Sequence, residues 1–435
     1  MRGGSTVKDH RRWLVATFVL IITAIAYIDR VNLSIAAPIL TKEFHTNAAV
    51  MGLLLSSFTW TYTLFNLPAG MLVDRIQVRV LYSLALLVWA VSSFLTTLVR
   101  SAGALFGPRL LLGIGEAPFA PAAIRTLADW LPKSDRATGS SMFISGVALG
   151  SAVGPPILAY LVSGFGWQSA FIATGVLSLL VAVIWYAWYR NPLDDKKLSE
   201  RERQLILRDQ EPPKQDGRAP WGEIVRHRDI WAITGGYFCL LYILYTFITW
   251  LPSYLVQDRH MTVLHSGFAT SIPWTVAFFC GILGGRLSDF ALRRGVSTLN
   301  ARKIVLVGGM IAALAIVGTA LASSSALAIA CLSISTAGII TANGAVWAAT
   351  QDVMRALNLT GSATGFVNAI GNVGGILGPI VTGAVAYATG SFLAPLGLAA
   401  LLALIGALAW GFGMRSTPRT RVAAADVVLE GRNER

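Results

Sequence analysis

The chain has 435 residues, of which 54% are hydrophobic and 13% charged, with a formal net charge of +13 and a mean hydropathy of +0.62. Long apolar runs recur along its whole length, which excludes a soluble globular domain and points to a polytopic helical membrane protein. Cys239, Cys280 and Cys331 fall within apolar runs at no metal-ligand spacing and read as small buried hydrophobes.

Hydropathy and length predict about twelve spanning helices. In the first half they cover 13–37, 48–74, 79–99, 102–125, 136–163 and 167–189. In the second half they cover 230–255, 262–290, 302–323, 326–351, 361–387 and 392–414. The basic N-terminus (Arg2, Lys8, Arg11, Arg12) precedes an apolar stretch too long for a signal-peptide core, so the first run is a spanning helix. The domains expected are an N-terminal tail (1–12), a six-helix bundle (13–189), a linker (190–229), a second six-helix bundle (230–414) and a C-terminal tail (415–435). Within the linker, Ser199-Glu200-Arg201-Glu202 matches a capping box and predicts a short surface helix. Pro212, Pro213 and Pro220 break up the remainder of the linker.

Lys and Arg set the orientation. Arg75, Arg79, Lys133, Arg136, Arg286, Arg293, Arg294, Arg302, Lys303 and Arg355 fall on the side shared by the termini and the linker, while the opposite loops hold Lys42, Arg100 and Arg259. Both termini are therefore expected in the cytoplasm. The positive charge needs no nucleic-acid partner.

The two halves echo each other. Gly70-Met71-Leu72-Val73-Asp74-Arg75 recurs 215 positions later as Gly285-Arg286-Leu287-Ser288-Asp289-Phe290. Gly150, Gly154 and Pro155 recur 224 positions later as Gly374, Gly378 and Pro379. A duplicated six-helix unit is the pattern of a transporter with its site near mid-membrane, at the repeat interface.

Charges inside spans are costly and mark functional candidates. Asp29 and Arg30 lie in the first span, and residues next to each other on a helix point about 100° apart, so each is expected to meet a different partner. The bland alternative is a pair snorkelling to a membrane boundary, disfavoured because apolar residues continue to Leu40. Arg109 and Glu116 stand seven residues apart on one face of the fourth span. A buried acid beside a cation can load and unload a proton; the bland alternative is a fixed structural pair. The Arg30 guanidinium suits an anion, because it stays charged and forks onto a carboxylate.

Gly70–Arg79 resembles the loop signature after the second span in the major facilitator superfamily, with Gln77 and Val78 departing from it. Tyr27-Ile28-Asp29-Arg30-Val31-Asn32, with Arg109–Pro118, resembles the anion:cation symporter branch. That branch holds bacterial permeases for hexuronate, galactonate, glucarate, tartrate and phthalate. The resemblance implies an all-α fold of twelve transmembrane helices in two pseudo-symmetric bundles, with no enzymatic chemistry. It implies that the acids at Asp29 and Glu116 couple protons with Arg109 as partner, and that Arg30 meets the substrate carboxylate. It also favours Tyr27 and Tyr62 as ligands over simple packing. Ser145-Gly146 is followed by Val147, where some members carry Gln.

Asn343 and Trp347 stand one turn apart in the tenth span, and Asn368 and Asn372 one turn apart in the eleventh. Such amides either glue helices together or bind sugar-acid hydroxyls; Asn368 best matches a family binding position. Tyr242, Tyr245 and Trp250 form a weak aromatic stripe, read as packing. Gly70, Asp74, Arg75 and Asp289 are expected to gate, the aspartates by bonding neighbouring helix ends in the cytoplasm-closed state. The reading is thus a monomeric inner-membrane symporter for a small organic anion, with a proton as coupling ion and no cofactor. Its rivals are a proton-driven drug exporter, against which Arg30 argues for cationic drugs, and a non-transporting sensor, for which 190–229 is too short an output domain.

Overall fold

The computed structural model describes residues 10–132, 135–208, 221–354 and 360–415. The first nine residues, Lys133, Arg355, most of the C-terminal tail and linker positions 209–220 lie outside the described residues, as do the side chains of Asp74, Arg286, Asp289 and Arg293. The described residues are helical apart from connections, with no strand among them. The first half comprises α1 (Arg11–Glu43), α2 (Ala48–Arg75), α3 (Val78–Thr97), α4 (Ala102–Glu116), α5 (Phe119–Trp130), α6 (Arg136–Phe165) and α7 (Trp167–Trp188). Two short helices come next, α8 (Glu200–Arg208) and α9 (Trp221–Arg226). The second half holds α10 (Arg228–Gln257), α11 (Val263–Arg293), α12 (Thr298–Ala313), α13 (Ile316–Leu321), α14 (Ser325–Met354), α15 (Thr360–Thr389) and α16 (Leu393–Leu408), the last closing in a π-helical turn, Ala409–Gly413.

Among the described residues, 11 helical segments are long and apolar enough to cross a membrane. The twelfth crossing is the fourth in the chain, and it is broken. Sequence length suggested one span over 102–125; instead α4 stops at Glu116 and α5 restarts at Phe119. Pro118 and Pro121 carry no amide hydrogen, so two i→i−4 bonds are missing at one place. Neighbouring helices can re-satisfy backbone freed in this way.

Lipid explains the distribution of apolar side chains. On α7, Ile172, Val176, Leu180 and Val183 are exposed, while Thr174, Ser178 and Trp185 are buried. The helix turns its greasy face outward and its polar face inward, which suits a hydrocarbon solvent.

Glycine sets the closest helix contacts. A Cβ on Gly146 would meet the Leu20 carbonyl and the Thr23 side chain, and one on Gly150 the Ala24 carbonyl and Tyr27 Cβ. In the second half a Cβ on Gly374 would meet the Phe238 carbonyl, and one on Gly378 the Tyr242 carbonyl. The glycine repeat read from the sequence is therefore the same device twice: α6 laid tightly on α1, and α15 on α10.

The predicted linker helix is present as α8, with Ser199 Oγ accepting from the Glu202 amide at 3.1 Å. The Glu202 carboxylate does not fold back to complete the box. It reaches α1 and accepts from the amides of Arg11 (3.3 Å) and Arg12 (3.1 Å). Asp195 accepts from Arg11 Nε at 2.8 Å. The start of the linker thus caps the first helix from outside.

Two compact units emerge: Met1–Gln215 with Ile248–Ser271, and Asp216–Phe247 with Ile272–Arg435. Segment 248–271 groups with the first unit rather than with the second run of helices. Ser34 donates to the Thr249 carbonyl at 2.7 Å, and Gly267 lies against Ala159 and Pro155.

Candidate functional site

Four charged side chains lie inside the first half: Asp29 and Arg30 on α1, Arg109 and Glu116 on α4, with exposures of 2%, 6%, 3% and 0%. All four interact electrostatically. Asp29 and Arg30 diverge, as adjacent helical positions must. Asp29 turns to α7, where Ser178 Oγ donates to Oδ2 at 3.3 Å. Thr174, one turn away, accepts from Asn32 Nδ2 at 3.0 Å.

Arg30 turns to α4. Its Nε and Nη2 donate to Glu116 Oε2 at 2.8 and 2.7 Å. The guanidinium carbon sits 4.6 Å from the Tyr27 ring centroid, 5.0 Å from Phe58 and 5.2 Å from Tyr62. Three rings around a guanidinium supply cation–π attraction that strengthens where water is excluded.

The sequence placed Arg109 on Glu116. The structure gives Glu116 to Arg30 instead. Arg109 remains within electrostatic reach of Glu116 but forms no ion pair with it among the described contacts. Arg109 Nε is buried without a hydrogen bond, and its guanidinium lies 5.4 Å from the Phe58 ring that Arg30 also faces. The physical reason is distance along the axis: both residues lie in unbroken α4 two turns apart, about 10 Å at ~1.5 Å per residue, while α1 brings Arg30 within hydrogen-bond reach of Glu116. Helical spacing alone did not reveal how close α1 comes. Gly113 helps position α4, since a Cβ there would strike Thr61 and the Phe58 carbonyl on α2. Thr61 Oγ1 also donates to the Leu110 carbonyl at 2.8 Å.

Sequence reasoning missed Phe58, Thr174 and Ser178. Phe58 lies one turn before Tyr62, and Thr174 and Ser178 are one turn apart in an otherwise apolar span, so both signals were available.

The second half holds a separate polar group. Asn372 Nδ2 donates to the Asn368 carbonyl at 2.9 Å and to Asn368 Oδ1 at 3.1 Å. Both bonds from Asn372 Nδ2 are thus made within α15, and Asn368 itself is half-buried. Trp347 packs edge-on to Tyr237 with centroids 5.1 Å apart, and Asn343 Oδ1 is buried without a bond. The Tyr245 ring lies against Gly375, as packing would have it, whereas Tyr242 meets Gly378 through its backbone carbonyl and its Oη is buried without a hydrogen bond. Gly70 is half-buried with open space around it, and Arg75 is exposed.

Residues 19–379 match the model of the Major Facilitator Superfamily. The chain belongs to that superfamily. It is a membrane transporter and not an enzyme. It is 32% identical to a probable galactarate/D-glucarate transporter of Bacillus subtilis, over 88% of each chain. A D-galactonate transporter of Escherichia coli is also 32% identical, over 92% of this chain and 95% of that one. A hexuronate transporter of Bacillus subtilis is 31% identical over 91% and 93%. The fold matches a crystal structure of a bacterial homolog to the human lysosomal transporter Spinster with a TM-score of 0.76 and 19% identity, covering 96% of this chain and 99% of that one.

Proposed function

We propose that this transporter imports a small organic anion, a sugar acid or related carboxylate, together with protons by alternating access. It works as a monomer in the inner membrane with both termini in the cytoplasm, and needs no cofactor. The observation that carries the reading is the Arg30–Glu116 pair, buried and ringed by Tyr27, Phe58 and Tyr62. The names of the relatives support the carboxylate class.

Two guanidiniums and two carboxylates sum to zero charge. A proton on Glu116 releases Arg30 and leaves the group with one net positive charge. Arg30 then binds the substrate carboxylate, with Tyr27 and Tyr62 beside it. When the substrate leaves, Arg30 retakes Glu116 and the proton is expelled. Arg109 stabilises whichever acid is ionised, and Asp29 holds its proton or charge against Ser178. In the second half, Asn368 and Trp347 read substrate hydroxyls, with Asn372 holding Asn368. Gly70, Asp74, Arg75 and Asp289 gate the cycle.

The test is uptake into proteoliposomes with a panel of labelled sugar acids, with and without an inward proton gradient. Accumulation of at least one, abolished by a protonophore, is expected. If no carboxylate in the panel moves with protons, the reading falls.

A further inference from the structure

Buried polar groups nearly always find a partner, and each exception calls for an explanation. The first half carries a line of exceptions. Tyr82 Oη, Trp89 Nε1 and Trp185 Nε1 belong to side chains with 0% exposure and make no hydrogen bond. Trp130 Nε1 and Tyr189 Oη, equally buried, lie near each other and near Thr126 without a bond of normal geometry.

The rings that carry these groups are contiguous. Trp89 packs against Gly115, next to Glu116, with its Cδ1 3.0 Å from where a Gly115 Cβ would lie. Trp89 and Tyr82 both contact Phe119, with centroids 5.6 and 6.1 Å away. Tyr82 meets Trp185 at 5.1 Å, Trp185 stacks on Tyr189 at 4.2 Å, and Tyr189 faces Trp130 at 6.4 Å. Trp130 adjoins Asp129, a carboxylate 29% exposed and paired with Arg125. The line therefore runs from the buried charges to the end of the bundle where α1 begins, since Asp135 meets Arg12 there.

An unpaired buried donor costs roughly 1–3 kcal/mol. A seam that only needed packing would carry Phe and Leu in these places. Bound water is what satisfies such groups, given polar partners on several sides. An indole N–H orients a water oxygen and passes no proton itself. A tyrosine hydroxyl does both: it accepts a proton on its lone pair and releases its own to the next oxygen.

We propose that this seam holds a file of bound water that moves protons between Glu116 and the Asp129 end, through the inside of the first half. The transport role rests on the proton coupling proposed above; the presence of water does not.

The experiment has two arms. In the first, the full chain in nanodiscs is labelled by brief radiolytic hydroxyl pulses. Trp410 is the internal control, fully buried but bonded to the Ile233 carbonyl. Tyr82, Trp89 and Trp185 should label several-fold faster than Trp410; equal rates overturn the water file. In the second, Tyr82→Phe keeps the ring and removes the hydroxyl. Proton-gradient-driven uptake of D-galactonate or D-glucarate should slow several-fold more than counterflow exchange. If both rates move equally, or neither moves, the proton role is overturned. Absence of gradient-driven uptake in the unmutated protein would instead fail the proton-coupled reading, while the labelling would still decide the water.

Discussion

Arg30 grips Glu116 by one oxygen. Nε and Nη2 both donate to Oε2, at 2.8 and 2.7 Å, and Oε1 is buried without a bond. A fork-to-fork pair would use both oxygens and leave the carboxylate saturated. Here one lone-pair edge stays open in a water-poor interior, where an unsatisfied acceptor is costly. On the proton coupling proposed above, that edge is where Glu116 takes its proton.

Arg30→Lys should impair ligand binding far more than folding. Lysine keeps the charge and the ion pair with Glu116 but loses the planar fork and the stacking on Tyr27 and Tyr62. The measurement is the melting-temperature shift produced by D-galactonate or D-glucarate on purified protein. The unmutated chain should be stabilised and the variant much less so. Equal shifts would remove Arg30 from the site.

Gly150→Val should destabilise the first half by about 1–3 kcal/mol, the usual cost of overpacking. The added atoms would press on the Ala24 carbonyl and Tyr27 Cβ, displacing the helix that carries Asp29 and Arg30. Gly107→Ala is the control, because nothing lies within 4 Å of its Cβ position. A thermal melt of both variants decides the matter; an unchanged Gly150→Val protein would mean that the α1–α6 contact yields easily.

Glu202→Ala removes the external cap of α1. Lost caps cost about 0.5–2 kcal/mol. Amide exchange at Arg11 and Arg12 should accelerate, while ligand affinity at Arg30 should hold. Exchange rates that do not change would show that the contact between α8 and α1 contributes nothing to order there.

Much of this arrangement is visible in the sequence. Crossings are set by apolar length, and the doubled glycine pattern marks two faces of close helix approach without saying which helices meet there. The divergence of Asp29 and Arg30 comes from helical geometry alone. Partners across helices do not. Seven-residue spacing made Arg109 the apparent mate of Glu116, yet Arg30, 86 residues away, holds it. Spacing describes one helix, whereas the approach of α1 depends on Gly146 and Gly150 of another. The break at Pro118 and Pro121 was also written in the sequence, but apolar length outweighed it.

Glu116→Gln tests which acid carries the proton. The amide mimics the protonated, neutral acid, so gradient-driven uptake should collapse while counterflow exchange persists. The stability consequence falls on Arg30, because Arg30 is the group that Glu116 binds. Breaking a buried pair by removing one charge typically costs ~3–5 kcal/mol. Glutamine retains a carbonyl acceptor, and three aromatic rings stay around the guanidinium, so the loss should lie below that range. Asp29→Asn is the companion. Its Ser178 contact survives, since asparagine still offers an acceptor to the hydroxyl. Both flux modes and the melting temperature are measured on each variant. Loss of gradient-driven uptake in Glu116→Gln alone assigns coupling to the Arg30-bound acid. Loss in Asp29→Asn alone moves it to the α1–α7 contact. If both flux modes fall together with the melting temperature, the buried charges serve as structural pairs and do not couple protons.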